Sequence, residues 1–281
     1  MIDESTVKIL MPELDSINRI FRGGQKVVYR ANHLVHGDIV LKLMIQPGLD
    51  PRVTREIQIL SDYSFPHVPS LYDSGVLKHN GNDIPYLLEQ YIDGETLRKK
   101  IDRGALPLID CLTLMHSLLE TVVELEKECL VHRDIKPDNI IIDNVAGVWL
   151  IDFGIARIIS QSSITATAAH YGPHTAGYAA PEQIRNLKKD IDSKADLFAI
   201  GVVLYEAISG QNPFIDGARD YLDILRRTET MVLPVLSIPG DSQGQMAGFI
   251  DVLMGKFPSR RPGNAQIAFS WFKALLPTVI L

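Results

Sequence analysis

Cysteine is scarce in this sequence. Cys111 and Cys129 are the only two, too few for a disulfide framework. Both sit in apolar, helix-like surroundings, so two buried, reduced thiols are expected. Long hydrophobic runs are also missing. The longest, such as 197–208, carry a Glu or fall short of the roughly 20 residues a bilayer span needs. The start, Met1-Ile2-Asp3-Glu4, has neither the basic residues nor the apolar stretch of a signal peptide. The apolar stretch 275–281 is interrupted by Pro277. A cytoplasmic protein without a membrane anchor or fused sensor is the expectation. Positive charge is not in excess either. The formal charge of −6 offers no basic surface to phosphates, so no nucleic-acid partner is expected. Repeats and low-complexity tracts are absent.

What is present suffices for a folded core: 46% of residues are hydrophobic against 22% charged. The first ninety residues read mostly as strands. The segments 26–31 and 39–45 are rich in β-branched and apolar residues, with His36-Gly37-Asp38 as a turn, and 85–92 is a third such run. One helix interrupts them. Asp50 can cap it, Pro51 suits its first turn, and Val53, Ile57 and Leu60 repeat at helical spacing beside Glu56. After Gly94 the pattern becomes helical. Asp110 is placed to cap a helix running to about Glu128, and another runs from Ser193 to Ser209, closed by Gly210. Between them, 160–176 is polar and small enough to read as a mobile loop. A β-rich front and an α-rich back predict an α+β chain of two lobes.

Chemistry is concentrated in Leu130-Val-His132-Arg133-Asp134-Ile-Lys136-Pro-Asp138-Asn139. Phosphoryl transfer needs a carboxylate to orient the attacking hydroxyl and take its proton. It also needs a cation for the moving phosphate and an oxygen ligand for magnesium. Asp134, Lys136 and Asn139 supply one of each. Further on, Asp152-Phe153-Gly154 follows the apolar run 148–151, a strand end suited to a hard metal ion with phosphate co-ligands.

These motifs resemble the catalytic and metal-binding loops of the eukaryotic-type (Hanks-type) protein kinases. The resemblance extends from about Ile20 to Phe272. Ile39-Val40-Leu41-Lys42 resembles the strand carrying the ATP-anchoring lysine, and Glu56 falls where the family's helix glutamate would pair with it. Ala180-Pro181-Glu182 resembles the motif closing the activation segment, Asp196 the aspartate that braces the catalytic loop, and Arg261 the arginine that pairs with the Glu182 position. Lys136 and Thr175 resemble the serine/threonine class.

The resemblance implies a two-lobed protein-kinase-like fold forming one catalytic domain over 1–281. Its small β-rich N-lobe with one helix would occupy about 1–90, its hinge 90–94, and its larger α-helical C-lobe 95–281. It implies Asp134, Lys136 and Lys42 as catalytic, and Asn139 and Asp152 as ligands of Mg2+ or Mn2+. ATP would meet Ile20, Gly23, Gly24, Val28, Val40, Lys42, Glu56, Gln90, Ile92, Ile141 and Asp152. A protein Ser/Thr acceptor is the implied partner. Arg133 would bind a phosphate on the activation segment, with self-phosphorylation expected at Thr165 or Thr167.

Two departures stand out. Aligned on Val28, the phosphate loop reads Phe21-Arg22-Gly23-Gly24-Gln25-Lys26-Val27-Val28, with one glycine of the family's G-x-G-x-x-G in place. Glu89 occupies the gatekeeper position, where the family commonly has an apolar or small residue. A buried carboxylate needs a partner, and Lys42 is the candidate, in competition with Glu56. The degraded loop leaves a pseudokinase, a nucleotide-binding or scaffolding module, as the alternative to an active serine/threonine kinase. A small-molecule phosphotransferase of related fold is opposed by Ala180-Pro181-Glu182 and the long loop before it.

Overall fold

A computed structural model describes residues 2–24, 26–45, 51–153, 157–158, 175–187 and 191–279, with the backbone alone at 51–56 and 157–158. The candidate acceptors between Ser160 and Tyr171, and the expected cap Asp50, lie outside the described residues.

The chain divides into two compact units, residues 1–64 with 68–93, and residues 65–67 with 94–281. The first unit holds helix α1 (Glu4–Leu10), strands β1 (Leu14–Arg22), β2 (Lys26–His33) and β3 (Gly37–Met44), helix α2 (Pro51–Asp62), and strands β4 (Leu71–His79) and β5 (Asn82–Gln90). The strands form one antiparallel sheet in the order β1-β2-β3-β5-β4. Asn80 and Gly81, both at positive φ, make the two-residue turn joining β4 to β5.

Alternation along the strands gives this sheet two faces. Val27, Tyr29, Leu41, Leu43, Ile84 and Leu88 line one face and pack with Val7, Met11 and Leu14 of the α1 region. Asp3 caps α1 by accepting from the Thr6 amide at 2.8 Å, and the Tyr29 hydroxyl donates to the Ile2 carbonyl at 2.9 Å. The alternate side chains of β2, β3 and β5, Lys42 among them, fall on the opposite face. On α2, Ile59 is fully buried while Ile57 and Leu60 are partly so.

The second unit runs through β6 (Gly94–Thr96), α3 (Leu97–Ile101), α4 (Leu108–Lys127), β7 (Leu130–Val131), β8 (Ile140–Asp143), β9 (Val148–Leu150), β10 (Arg157–Ile158), α5 (Pro181–Ile184), α6 (Ser193–Ser209), α7 (Tyr221–Thr230), α8 (Gln245–Leu253) and α9 (Ala265–Leu275). Helix α6 is buried almost all round, as befits a central helix with apolar residues on every face. Helices α4, α8 and α9 pack about it. The expected α+β architecture, a sheet-bearing front and a helical back, is what forms.

Two expectations are corrected. Asp110 sits in the first turn of α4, because Pro107 starts the helix a turn earlier with its fixed φ of −55°. Cys111 is buried, and burial pushes its thiol up to about 12. Cys129 is exposed, since the chain leaves α4 through a left-handed residue there (φ 56°).

Candidate active site

In the first unit, strand register sets the neighbours of Lys42. It lies opposite Val28 of β2 and Leu87 of β5, while Glu89 lies opposite Val40. Directly opposed residues share a face, so Lys42 and Glu89 are diagonal neighbours within reach of long side chains. The Lys42 ammonium donates to Glu89 Oε1 at 2.9 Å, and each residue is 5% exposed. The buried gatekeeper carboxylate thus has the partner its sequence position demands. The Glu56 side chain lies outside the described residues.

A register shift between Arg19 and Phe21 places Phe21 opposite Val28 and leaves Ile20 in a bulge, with both side chains about half exposed. Gly23 donates its amide to the Lys26 carbonyl at 2.9 Å, and Gly24 follows it in the same connection. Gln90 ends β5, with its side-chain oxygen accepting from the Ser70 amide at 3.3 Å. Ile92 is buried just beyond.

In the second unit a hairpin does the positioning. Strands β8 and β9 pair Ile140 with Leu150, Ile141 with Trp149 and Ile142 with Val148. The Asp143 carboxylate accepts from the amides of Val145 (2.9 Å) and Gly147 (2.7 Å) and from the Trp149 indole (2.8 Å), which holds the turn. A Cβ on Gly147 would come within 2.4 Å of that carboxylate, so any other residue would push it off its donors. At the other end the Ile151 amide donates to the Asn139 carbonyl at 2.9 Å. Asn139 and Asp152, separated in sequence, therefore end adjoining strands. Asp152 takes a left-handed φ of 71°, costly for a non-glycine residue.

The Asp134 carboxylate is 9% exposed and held from three sides. The Thr175 hydroxyl donates to its Oδ1 at 2.7 Å. Lys136 reaches its Oδ2 at 2.8 Å and the Thr175 oxygen at 2.9 Å. Asn139 donates through Nδ2 to Asp134 Oδ2 and to the Asp134 carbonyl, both at 3.0 Å. The Asn139 amide nitrogen is thereby committed to Asp134. An amide oxygen and a carboxylate, which Asn139 and Asp152 carry, are hard donors of the kind magnesium or manganese takes. No cluster of three acids, histidines or cysteines occurs among the described residues.

The loop beneath is braced from α6. Asp196 accepts from the amides of His132 and Arg133, both at 2.8 Å. Burial pushes its carboxyl up to about 7, although the two amides pull the other way. His132 Nδ1 accepts from the Asp134 amide at 3.3 Å, and its ring stands edge-on to Phe153 at 4.6 Å. Burial lowers His132 to about 4, so the ring is neutral at pH 7.

The closing segment is bolted to the same unit. Arg261 grips Glu182 with two bonds, 2.6 and 2.9 Å, and also donates to the carbonyls of Gly255 and Lys194 at 2.8 Å. Tyr178 donates to Glu206 of α6 at 2.6 Å, and Arg98 of α3 bonds both of them. Neither this trio nor Gln183 was visible from spacing. Gln183 sends its amide nitrogen to the Arg133 carbonyl at 2.9 Å. The one local signal was a Gln at the third position of a short helix, able to cap its own start.

A profile described as "protein kinase domain" matches residues 15–272. This chain belongs to the protein kinase family. Its kinase relatives include the serine/threonine-protein kinase PknB of Mycobacterium leprae, 33% identical over 201 residues, 69% of this chain and 32% of that protein. The probable serine/threonine-protein kinase PknB of Corynebacterium glutamicum is 32% identical over 211 residues, 72% and 32% of the two chains. The corresponding kinase of Bifidobacterium longum is 34% identical over 195 residues, 67% and 28% of the two chains. The matched stretch thus spans about a third of the length of these relatives.

Proposed function

We propose that this chain is an ATP-dependent serine/threonine protein kinase. The observation that carries the proposal is the Asp134 carboxylate, buried, oriented by Thr175 and Asn139, and paired with a lysine. A carboxylate so held can align an incoming hydroxyl and accept its proton as the oxygen attacks phosphorus. Lys136, 2.8 Å away, supplies positive charge where the transferred phosphoryl would pass. Lys42 is assigned to the phosphates of ATP, with Glu89 balancing its charge inside the sheet. Asn139 and Asp152 would hold Mg2+ or Mn2+. Such an ion, when bound, neutralises developing charge on the phosphates.

The acceptor is a protein bearing serine or threonine, the class named for the relatives above. Self-phosphorylation between copies, on Thr165 or Thr167, belongs to this proposal. No helix among the described residues is long and apolar enough to cross a membrane, and we place the domain in the cytoplasm with no nucleic-acid partner. The test is incubation with labelled ATP, magnesium and a total cell extract, followed by mapping of phosphosites. Phosphate on serine and threonine that disappears in Asp134→Asn supports the proposal. Nucleotide binding without any transfer would establish the pseudokinase alternative instead.

A further inference from the structure

The peptide plane immediately ahead of Asp134 is held at both of its polar atoms. Its N–H donates to His132 Nδ1, and its oxygen, the Arg133 carbonyl, accepts from Gln183 Nε2 at 2.9 Å. Arg133 sits at φ 71°, a left-handed conformation that a non-glycine residue keeps only when its surroundings over-determine it. Asp196 fixes the two preceding amides from α6. The carbonyl is fixed from α5, by Gln183.

Gln183 is 1% exposed, and its own orientation is set. Its Oε1 accepts from the Ala180 amide at 3.1 Å, which turns its NH2 group toward the Arg133 carbonyl. Helix α5 is itself anchored, since the neighbouring Glu182 is gripped by Arg261. On the same stretch of chain, Thr175 bonds the Asp134 carboxylate. One segment, 175–184, therefore touches Asp134 at the carboxylate through Thr175 and at the backbone through Gln183.

We propose that Gln183 is a positioning residue for Asp134, coupling the placement of the closing segment to the aim of the catalytic carboxylate. The assignment rests on the kinase function proposed above. Gln183 touches no reacting atom; it acts through the 133–134 peptide. A segment displaced from its seat would release the carbonyl and the carboxylate together, so the carboxylate is aimed only when the segment is seated.

Two variants test this. Gln183→Met fills the same space and cannot donate. Gln183→Glu keeps the acceptor facing Ala180 and regains a donor only when its carboxyl is protonated. The first measurement is amide hydrogen exchange in the 130–136 stretch. The second is kcat and KM for ATP, with casein as acceptor. For Gln183→Met the expected result is exchange at the Asp134 amide faster by about tenfold, and kcat lower by about 10- to 100-fold with KM for ATP within about twofold. Gln183→Glu should match it at pH 8 and approach the wild type as pH falls to 6. Unchanged exchange, or kcat and KM degrading together with a general loss of protection, would overturn the assignment. Should Gln183→Met fail to fold, the pH dependence of exchange in Gln183→Glu decides it. Exchange needs no turnover, so an inactive wild type would refute the kinase proposal while this assignment is still decided.

Discussion

Replacing His132 by Phe should change how stability depends on pH, in a direction opposite to replacing Asp196 by Asn. His132 is fully buried and lowered from 6.5 to about 4 by that burial. Burial is the largest influence, and with Lys136 it outweighs Asp134, Asp152 and the Ile151 backbone, which favour protonation. As pH falls through 6.5 the unfolded chain takes a proton on this ring that the folded chain refuses until about pH 4, so stability is lost across that window. Between pH 7.5 and 4.5 the loss amounts to about 2.5 kcal/mol. Phe fits the same edge-on contact with Phe153 and has nothing to protonate. Asp196 works the other way. Its folded carboxyl, raised from 3.8 to about 7, takes a proton before the unfolded chain does, so acid stabilises the fold by about 3 kcal/mol over the same range. The two contributions nearly cancel in the wild type, because burial favours the neutral form of each and those forms respond to acid in opposite senses. Urea titrations at pH 7.5, 5.5 and 4.5 are the assay. Relative to wild type, His132→Phe should gain about 2.5 kcal/mol on acidification and Asp196→Asn should lose about 3, whatever fixed offset each carries at pH 7.5. Differences that stay constant with pH in both variants would refute the reasoning.

Other perturbations have equally definite outcomes. Asp134→Asn should remove nearly all phosphate transfer while nucleotide titrations still show binding. Asp152→Ala should sharply reduce binding of a fluorescent ATP analogue, and chelating the divalent ion should do the same to the wild type, with no further loss in the variant. Arg261→Met should lower unfolding free energy by about 3–5 kcal/mol in a denaturant titration, since Glu182 then keeps a buried charge without its guanidinium. Glu89→Leu should raise KM for ATP and lower the melting temperature, whereas Glu89→Gln, which keeps an acceptor 2.9 Å from the ammonium, should do less of both.

Much of this was legible in the sequence because it depends on local rules. Strand alternation alone puts Lys42 and Glu89 on one face, and the ban on lone buried charge pairs them. Asp134, Lys136 and Asn139 lie close enough in sequence to converge in any compact loop, and Thr175, singled out by the family resemblance, bonds both Asp134 and Lys136. Helix ends were less legible. Asp110 carries a capping side chain, yet Pro107 had already started α4. Asp3 is the N-cap of α1, a helix too short to show a repeating apolar stripe, and that helix completes the core against Tyr29. Cys129 followed an apolar helix in sequence but lies where the backbone turns outward. The Gln183 bond to the Arg133 carbonyl joins residues that only the tertiary fold brings near, and no periodicity encodes such a contact.

The hairpin that carries Asn139 and Asp152 has a parity. Its strands are short, its turn is held by Asp143, and at its open end the Ile151 amide is bonded to the Asn139 carbonyl, next to Asp152. Deleting a single residue from β9 would turn every later side chain to the opposite face and put an apolar residue where the carboxylate belongs. An insertion between Asn144 and Ala146 would break bonds that Asp143 makes in the turn, yet it would leave the parity of the paired strands unchanged. For anyone cutting, tagging or recombining this chain, the tip is the place to work, and the strands must be exchanged whole or left alone.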